Sequence, residues 1–393
     1  MLEEEENRLM TKRLFDFDGY LLRFCSRVVS CEKDARGYAV VLEETAFAPE
    51  GGGQRSDIGT LNGANVLDVC SVGDCIVHIT DVPLGVGQTV CGEVDRDRRM
   101  RHLQNHSGEH IVSGLIHSRY GYDNVGFHLG SEDVTIDISG VLDEPSLREI
   151  EREANEVVVR NLPIEVAYPS PEALKSLCYR AKLDLSENVR IVTIDGVDAC
   201  ACCAPHVART GEIGMIKLLF AIKYKGGTRI HMKCGFDALE EFNAEYARAT
   251  AISNRISLPR ERIAEGVDKL WEDLSSANFR LVGLKRELIA LKAQSAVAEE
   301  GSLLFVEQGF DAAELRLLVS AAEGKVTGQC AAFSRCEDGS YAFVAMTRCE
   351  DFSAWQRALF DALHARGGGK PPYIQGKAAC TEEEIRAFFR ANA

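Results

Sequence analysis

Nowhere in the 393 residues is there an apolar run of the roughly 18 or more that a membrane-spanning helix needs, so no such helix is expected. The opening stretch Met1 to Met10, MLEEEENRLM, is acidic and lacks the apolar core of a secretory signal. It reads as a lead-in, with Met10 as a second candidate start. Positive charge is also short: 45 Lys and Arg stand against 60 Asp and Glu, a formal net charge of -15. That balance is the opposite of what a nucleic-acid partner normally requires. There is no short-period repeat and no low-complexity tract. Cysteine, by contrast, is plentiful at 14 residues. In a long chain without an export signal these are expected to be reduced thiols of a cytoplasmic protein, most of them acting as small buried hydrophobes.

Hydrophobic residues make up 46% and charged residues 27% of the sequence, an ordinary globular composition. At roughly 100–200 residues per domain, two to four domains are expected. The charge is uneven. One basic run holds Arg96, Arg98, Arg99 and Arg101, and a second segment holds Lys217, Lys223, Lys225, Arg229, His231 and Lys233. Acid concentrates in Glu3–Glu6, in 143–156 and in the C-terminal third. On charge alone the basic segments read equally well as solvated faces or as nucleic-acid contacts.

From residue 15 to about 95 short apolar runs (Tyr38–Leu42, Val66–Val69, Ile76–Ile79) alternate with Gly- and Asp-containing turns. This predicts a small antiparallel β-barrel or sandwich. A glycine-rich loop, Pro49 to Gln54, interrupts it. From about 96 to 235 helix and strand alternate in an α+β pattern. A helix is predicted over 98–118 and another over Pro145–Arg160, with strands over Phe127–Ile138 and Arg190–Ile194. A hairpin is predicted around Lys225-Gly226-Gly227. From 236 to 298 the chain reads as helical, starting near Leu258-Pro259-Arg260. Ile263, Val267, Leu270, Leu274, Ala277, Leu281, Leu284, Leu288 and Leu291 form a heptad seam, suited to a coiled coil between chains or a long hairpin within one. An α/β domain follows from about 302, with a strand over Tyr341–Ala345. A helix over Ser353–Arg366 is expected to be ended by Gly367-Gly368-Gly369.

Two short motifs carry chemistry. In His106-Ser107-Gly108-Glu109-His110 the histidines lie four apart, on one helix face, close enough to share a metal ion. In Cys202-Cys203-Ala204-Pro205-His206 a thiolate and an imidazole four apart across a proline-containing turn can reach a common ion. Three imidazoles and one thiolate suit zinc (Zn2+), whose d¹⁰ shell imposes no geometry of its own. A closed structural site and an open catalytic one both fit this spacing. Cys200 and Cys203 are extra thiols, read as packing beside the loop or as substitute ligands.

Four segments in order resemble the alanyl-tRNA editing proteins of AlaX type, in their long form, and the editing and C-terminal domains of alanyl-tRNA synthetase. Thr45 to Gln54, followed by Asp57 and Gly59, is similar to the family's GGQ segment. His106 to His110 matches its HxxxH pair. Cys202 to His206, running on to Gly214, matches its CxxxH segment. Gly367 to Gly376 resembles the glycine signature of the C-terminal domain, related to one found with DHH phosphoesterases. Cys203-Ala204-Pro205, Ser107 and Glu109 depart from the family's usual residues and border the expected pocket.

The resemblance implies a multidomain α+β chain. Residues 12–95 would form the small N-terminal β-barrel and 96–235 the α+β zinc editing domain. Residues 236–300 would form a helical, coiled-coil linker, and 301–393 a C-terminal α/β domain for tRNA contact and dimerisation. With no amino-acid activation region before residue 12, the chain is expected to act in trans. The activity implied is hydrolysis of the ester that joins serine, or glycine, to tRNA for alanine, without ATP. The resemblance implies zinc held by His106, His110, Cys202 and His206. Gln54 and Glu109 are the candidate catalytic residues, Glu109 reading also as a solvated helix-face carboxylate. Gly52, Gly53, Arg229, Gly368, Lys370 and Gln375 are candidate substrate or tRNA contacts, with Arg366 and Lys377 beside Lys370 as further phosphate contacts. A homodimer through 236–393 is expected. Two other readings stay open: an H-x-x-E-H zinc peptidase with Glu109 as base, and a non-catalytic tRNA-binding zinc protein.

Overall fold

The computed structural model describes residues 10–130, 133–181 and 189–392. Glu3–Glu6 and most of the acidic lead-in lie outside these residues. The chain divides after Ala251 into two compact units.

In the first unit, the alternating runs become β1 (Lys12–Arg13), β2 (Arg23–Asp34), β3 (Gly37–Leu42), β4 (Glu44–Thr45), β5 (Gly59–Leu61), β6 (Ala64–Val72), β7 (Cys75–Thr80) and β8 (Thr89–Val94). Six of them pair in the order β2-β3-β7-β6-β5-β8, and β2 also pairs with β8, so the ring closes. Alternation sets its interior: β8 turns Val90, Gly92 and Val94 inward. There they meet Phe24, Val40, Phe47, Leu61 and Val69. Cys25 and Cys91 stand opposite each other on β2 and β8 and form a disulfide, so these two thiols are not reduced as expected. Directly opposed residues on neighbouring antiparallel strands bring their Cβ atoms within reach. Taken as whole residues, only Cys234 and Cys330 of the free cysteines are buried, so most are not the buried hydrophobes expected.

Next come α1 (Arg96–Tyr120), β9 (Asn124–Leu129), β10 (Val134–Ile138), α2 (Glu144–Arg160), β11 (Ile164–Ala167), α3 (Pro171–Ser176), β12 (Ile191–Ile194), β13 (Asp198–Ala201), β14 (Ile216–Tyr224) and β15 (Gly227–Cys234). The single strand expected over Phe127–Ile138 is two strands, β9 and β10, folded back on each other in antiparallel register. Asp95 caps α1 by accepting from the Arg98 amide at 2.8 Å, and Gly121 ends it in the left-handed conformation. Asp143 and Asn161 bound α2 in the same way. The sheet β14-β15-β10-β9 is covered by α1 and α2, and Leu103, Ile111, Ile136, Ile150 and Ile230 share its core. A smaller sheet, β11-β12-β13, stands beside α1. α4 (Gly235–Ile256) follows.

In the second unit a 3-10 turn over Arg260–Arg262 leads into α5 (Ile263–Ser295). Ile289 and Ala293 near its end are buried, whereas Val267, Leu270, Leu274, Leu281, Leu284, Leu288 and Leu291 are exposed. After α5 come β16 (Leu303–Gln308), α6 (Ala312–Ala322), β17 (Gln329–Arg335), β18 (Tyr341–Thr347), α7 (Phe352–Ala362), β19 (Ala365–Lys370), β20 (Tyr373–Ala378) and α8 (Glu382–Ala391). They build a five-stranded sheet, β16-β17-β18-β20-β19. The helix expected over Ser353–Arg366 ends earlier, at Ala362, and the glycines do not cap it. His364 turns the chain at φ 47°, and Gly367, Gly368 and Gly369 lie in β19. A Cβ at Gly367 would sit 2.1 Å from the Gln375 carbonyl oxygen, so glycine serves strand approach there.

Candidate metal centre

α1 carries His106 and His110 one turn apart, their ring centroids 5.5 Å from each other. The turn after β13 brings up Cys202 and His206. The His206 ring lies 5.0 Å from that of His106 and 4.6 Å from that of His110. Cys202 Sγ is 3.5 Å from His106 Nε2 and 3.4 Å from His206 Nε2. One ligand atom from each of the four residues falls within 4.8 Å of all the others.

The outward ring nitrogens are all engaged. His106 Nδ1 meets Gln54 Oε1 at 2.8 Å, His110 Nδ1 meets Asp198 Oδ2 at 2.9 Å, and His206 Nδ1 meets Ser107 Oγ at 3.0 Å. A carboxylate can only accept, so His110 carries its proton on Nδ1 and keeps the Nε2 lone pair for an ion. Arg180 grips Asp198 with two hydrogen bonds of 2.7 and 2.8 Å. Burial opposes charge on Asp198, yet the bonds from His110 and Arg180 hold it below its ordinary range. Burial above all pushes His206 down to about 3, leaving a neutral imidazole. Burial works against a thiolate at Cys202, but the neighbouring His106 and His206 bring it well below the usual thiol value. Burial opposes a charged His110, but Asp198 and Cys202 raise it well above the ordinary imidazole value, so an incoming ion takes the place of a proton on Nε2. A buried thiolate beside a buried carboxylate calls for a cation, and the donor set fits a metal ion.

The centre opens on a cavity of about 410 Å³, lined among others by Gly52, Glu109, Asn124, Phe127, Arg190 and Cys203. Glu109 is not the solvated helix-face carboxylate of the blander expectation. It is 4% exposed, because α1 is enclosed on all sides from His102 to Gly114. Its Oε1 accepts from Asn124 Nδ2 at 2.6 Å and Ser113 Oγ at 2.5 Å, and its Oε2 lies 4.0 Å from His110 Nε2. Arg190 donates to the carbonyls of Cys202 and Ala204, both at 2.8 Å, and so pins the thiolate turn. Gly53 has φ 87°, and a Cβ there would strike the Phe127 carbonyl oxygen at 2.1 Å. Only glycine lets this loop dock on β9, where the Gly53 carbonyl accepts from Leu129 N at 2.8 Å and Gln54 is set against His106.

The structure thus brings together His106, His110, Cys202, His206, Gln54, Glu109 and Gly52. Cys200 falls in a second group with His110 and Asp198, and Cys203 in neither group. Arg229 is committed elsewhere: it makes two hydrogen bonds to Asp137, of 2.6 and 2.8 Å, and lies 3.7 Å over the Tyr224 ring. Gly368, Lys370 and Gln375 belong to β19 and β20 of the second unit, where Gly368 pairs with Gln375 and Lys370 with Tyr373. A peptidase of H-x-x-E-H type expects a helical carboxylate as third ligand. Here the nearest new carboxylate, Asp198, is on β13 and binds His110 at Nδ1. Sequence reasoning missed Asp198, Arg180, Asn124 and Arg190. No local spacing marks them, since each reaches the centre through strand pairing or a close approach.

Residues 189–231, which include the thiolate turn, match the family model described as threonyl and alanyl tRNA synthetase second additional domain. Residues 21–98 match that of class II (A) tRNA synthetases. Alanyl-tRNA editing protein Aarsd1 of Danio rerio is 30% identical over 295 residues, 71% of this chain and 72% of that protein. The chain belongs to the alanyl-tRNA editing protein family. Aarsd1 of Mus musculus is 28% identical and shares 92% of each chain. The alanine–tRNA ligase of Ignicoccus hospitalis is 30% identical over 305 residues, 74% of this chain but 33% of the ligase. This editing-protein family member therefore matches about a third of that enzyme.

Proposed function

We propose that the chain is a trans-acting aminoacyl-tRNA hydrolase that removes serine, and secondarily glycine, from tRNA for alanine. Zinc is the cofactor of this reading, held by His106, His110, Cys202 and His206. The observation that carries it is the convergence of three imidazoles and a thiolate at the wall of a cavity that also receives a buried carboxylate. Bound zinc supplies Lewis acidity toward an ester carbonyl or an attacking water.

The chain's own groups do the rest. Glu109 directs Oε2 beside His110, while Asn124 and Ser113 fix its other oxygen, so it is placed to take a proton from water. Gln54 spends its amide oxygen on His106, so it is a positioning residue rather than a contact to the ester. Asp198 and Arg180 fix the His110 ring, and Ser107 that of His206. Side chains as small as serine, glycine and alanine differ by too little binding energy for a synthetase to separate by fit alone, which gives a second hydrolytic site its purpose. Polar groups in the cavity wall, Asn124 among them, offer the serine hydroxyl partners that the alanine methyl cannot use. In the second unit, Gly368, Lys370 and Gln375, with Arg366 and Lys377, are proposed contacts to tRNA phosphates. The exposed stripe of α5 is the proposed seam of a homodimer.

The experiment is to incubate the purified, zinc-loaded chain with alanine tRNA carrying either serine or alanine. The reading expects seryl ester to be lost at least about tenfold faster, a difference of about 1.4 kcal/mol, and a chelator to stop the loss. Equal rates, or no hydrolysis of either ester, refute it.

A further inference from the structure

One residue of the second basic segment, Lys233, comes beside the first. Arg96, Arg98 and Arg101 from the first turns of α1 and Lys233 from β15 line one cleft of about 1060 Å³, and Arg55 joins them from the glycine-rich loop. Three acids share the cleft, Asp97, Asp237 and Glu240. Asp237 is already bound to Arg101 and to Asn105. Lys233 is paired with Glu241 at 2.7 Å, and Arg98 Nε donates to the Ser56 carbonyl at 2.9 Å. Arg55 and Arg96 are exposed and make no ion pair among the described residues. The crowding shows in Arg98: burial first, then the charges of Arg55 and Arg101, depress its guanidinium despite the nearby Asp57.

One loop links this cleft to the metal cavity. Gly52 lines the cavity, Gln54 bonds to His106, and Arg55, the next residue, lines the cleft. We propose that the cleft holds backbone phosphates of an RNA acceptor strand whose 3′-terminal ester lies in the metal cavity. This rests on the reading of the chain as an aminoacyl-tRNA hydrolase. Guanidinium forks match phosphate oxygens two at a time, and phosphate contacts position a nucleic acid without reading its sequence. On a chain of net charge -15, a cleft whose basic residues outnumber its acids, with Arg55 and Arg96 unpaired among the described residues, also favours one place for a polyanion.

The test is the binding of deacylated tRNA to the full chain and to Arg55→Gln/Arg96→Gln, across a series of salt concentrations. At about 100 mM monovalent salt the double variant is expected to bind at least about tenfold more weakly. Its log–log salt slope should fall by about 1.4–1.8, from two contacts at about 0.7–0.9 each. Both side chains are exposed, so the melting temperature should hold, and Arg55→Lys/Arg96→Lys should keep most of the slope. An unchanged affinity and slope in the glutamine pair overturns the proposal, as does wild-type protein that fails to bind tRNA. The probe carries no ester, so loss of the hydrolase reading and loss of the cleft are separate results. A chain that deacylates seryl-tRNA while the glutamine pair keeps the wild-type slope sinks only the cleft.

Discussion

Asp198→Asn changes one oxygen for an amide nitrogen at the point where the metal centre is held in register. In the native site Asp198 Oδ2 accepts from His110 Nδ1 at 2.9 Å, and both carboxylate oxygens accept from Arg180 at 2.7 and 2.8 Å. The asparagine amide can donate to Nδ1, which lets the ring keep its proton on Nε2, the nitrogen that faces the other donors. Loss of such an outer partner weakens a metal site by about 10–100-fold. That is about 1.4–2.7 kcal/mol. A separate cost falls on the fold, because Arg180 loses its carboxylate with only 15% of its side chain exposed. Breaking a buried ion pair costs about 3–5 kcal/mol, and the partial exposure puts this one near the low end. Competition against a chromophoric chelator measures the zinc affinity, and thermal melting of the metal-free protein measures the second term. Zinc affinity within twofold of wild type would refute the argument that Asp198 sets the His110 tautomer.

Other consequences follow from the same geometry. Glu109→Gln keeps the bonds from Asn124 and Ser113 possible but removes the proton acceptor. Turnover of seryl-tRNA is expected to fall by about 10²–10⁴-fold with zinc content unchanged, and full activity would remove Glu109 from the mechanism. Asp57 and Arg99 are each 1% exposed and bound together, so Asp57→Asn should cost about 3–5 kcal/mol at neutral pH. Burial would raise the Asp57 carboxyl, but the His102 ring 3.8 Å away and the bonded Arg99 guanidinium hold it below its ordinary 3.8. Its stabilising contribution is therefore complete above about pH 4 and is lost as the pH falls further. The melting gap between wild type and Asp57→Asn should close in that range, and a gap that stays constant down to pH 3 counts against the pairing. On α5, Leu274→Lys/Leu281→Lys places charge on two exposed positions of the heptad stripe. Sedimentation should show dimer for wild type and monomer for the variant; a wild-type chain that is monomeric at micromolar concentrations removes the seam.

What could be read from the sequence was what local periodicity encodes. Histidines four apart on a helix must share a face, and Cys202 and His206 are tied by one short turn, so both candidate ligand pairs were legible in the spacing of their residues. Asp198 was not. It reaches His110 because α1 passes β13 so closely that a Cβ at Gly114 would lie 2.6 Å from the Val197 carbonyl oxygen. For Glu109 the sequence left both a catalytic role and a solvated helix face open. The structure wraps that helix with sheet, helix and loop, and Asn124 and Ser113 satisfy the carboxylate inside. The hairpin at Lys225-Gly226 was legible, since both residues take positive φ, at 46° and 84°. Gly367–Gly369 misled for the opposite reason. A glycine run after an amphipathic stretch looks like a helix stop, and only the facing strand reveals that it is there for backbone approach. The disulfide between Cys25 and Cys91, 66 residues apart, likewise depends on strand register that no local pattern encodes.

The most direct test is X-ray absorption at the zinc edge of the purified full chain. Four ligands of the proposed kind predict a single sulfur at about 2.3 Å with nitrogen scatterers at about 2.0–2.1 Å. Loss of the sulfur shell in Cys202→Ser would identify its source. A spectrum without sulfur, one dominated by several sulfurs, or a chain that takes up no zinc would contradict the assignment of His106, His110, Cys202 and His206 to one ion.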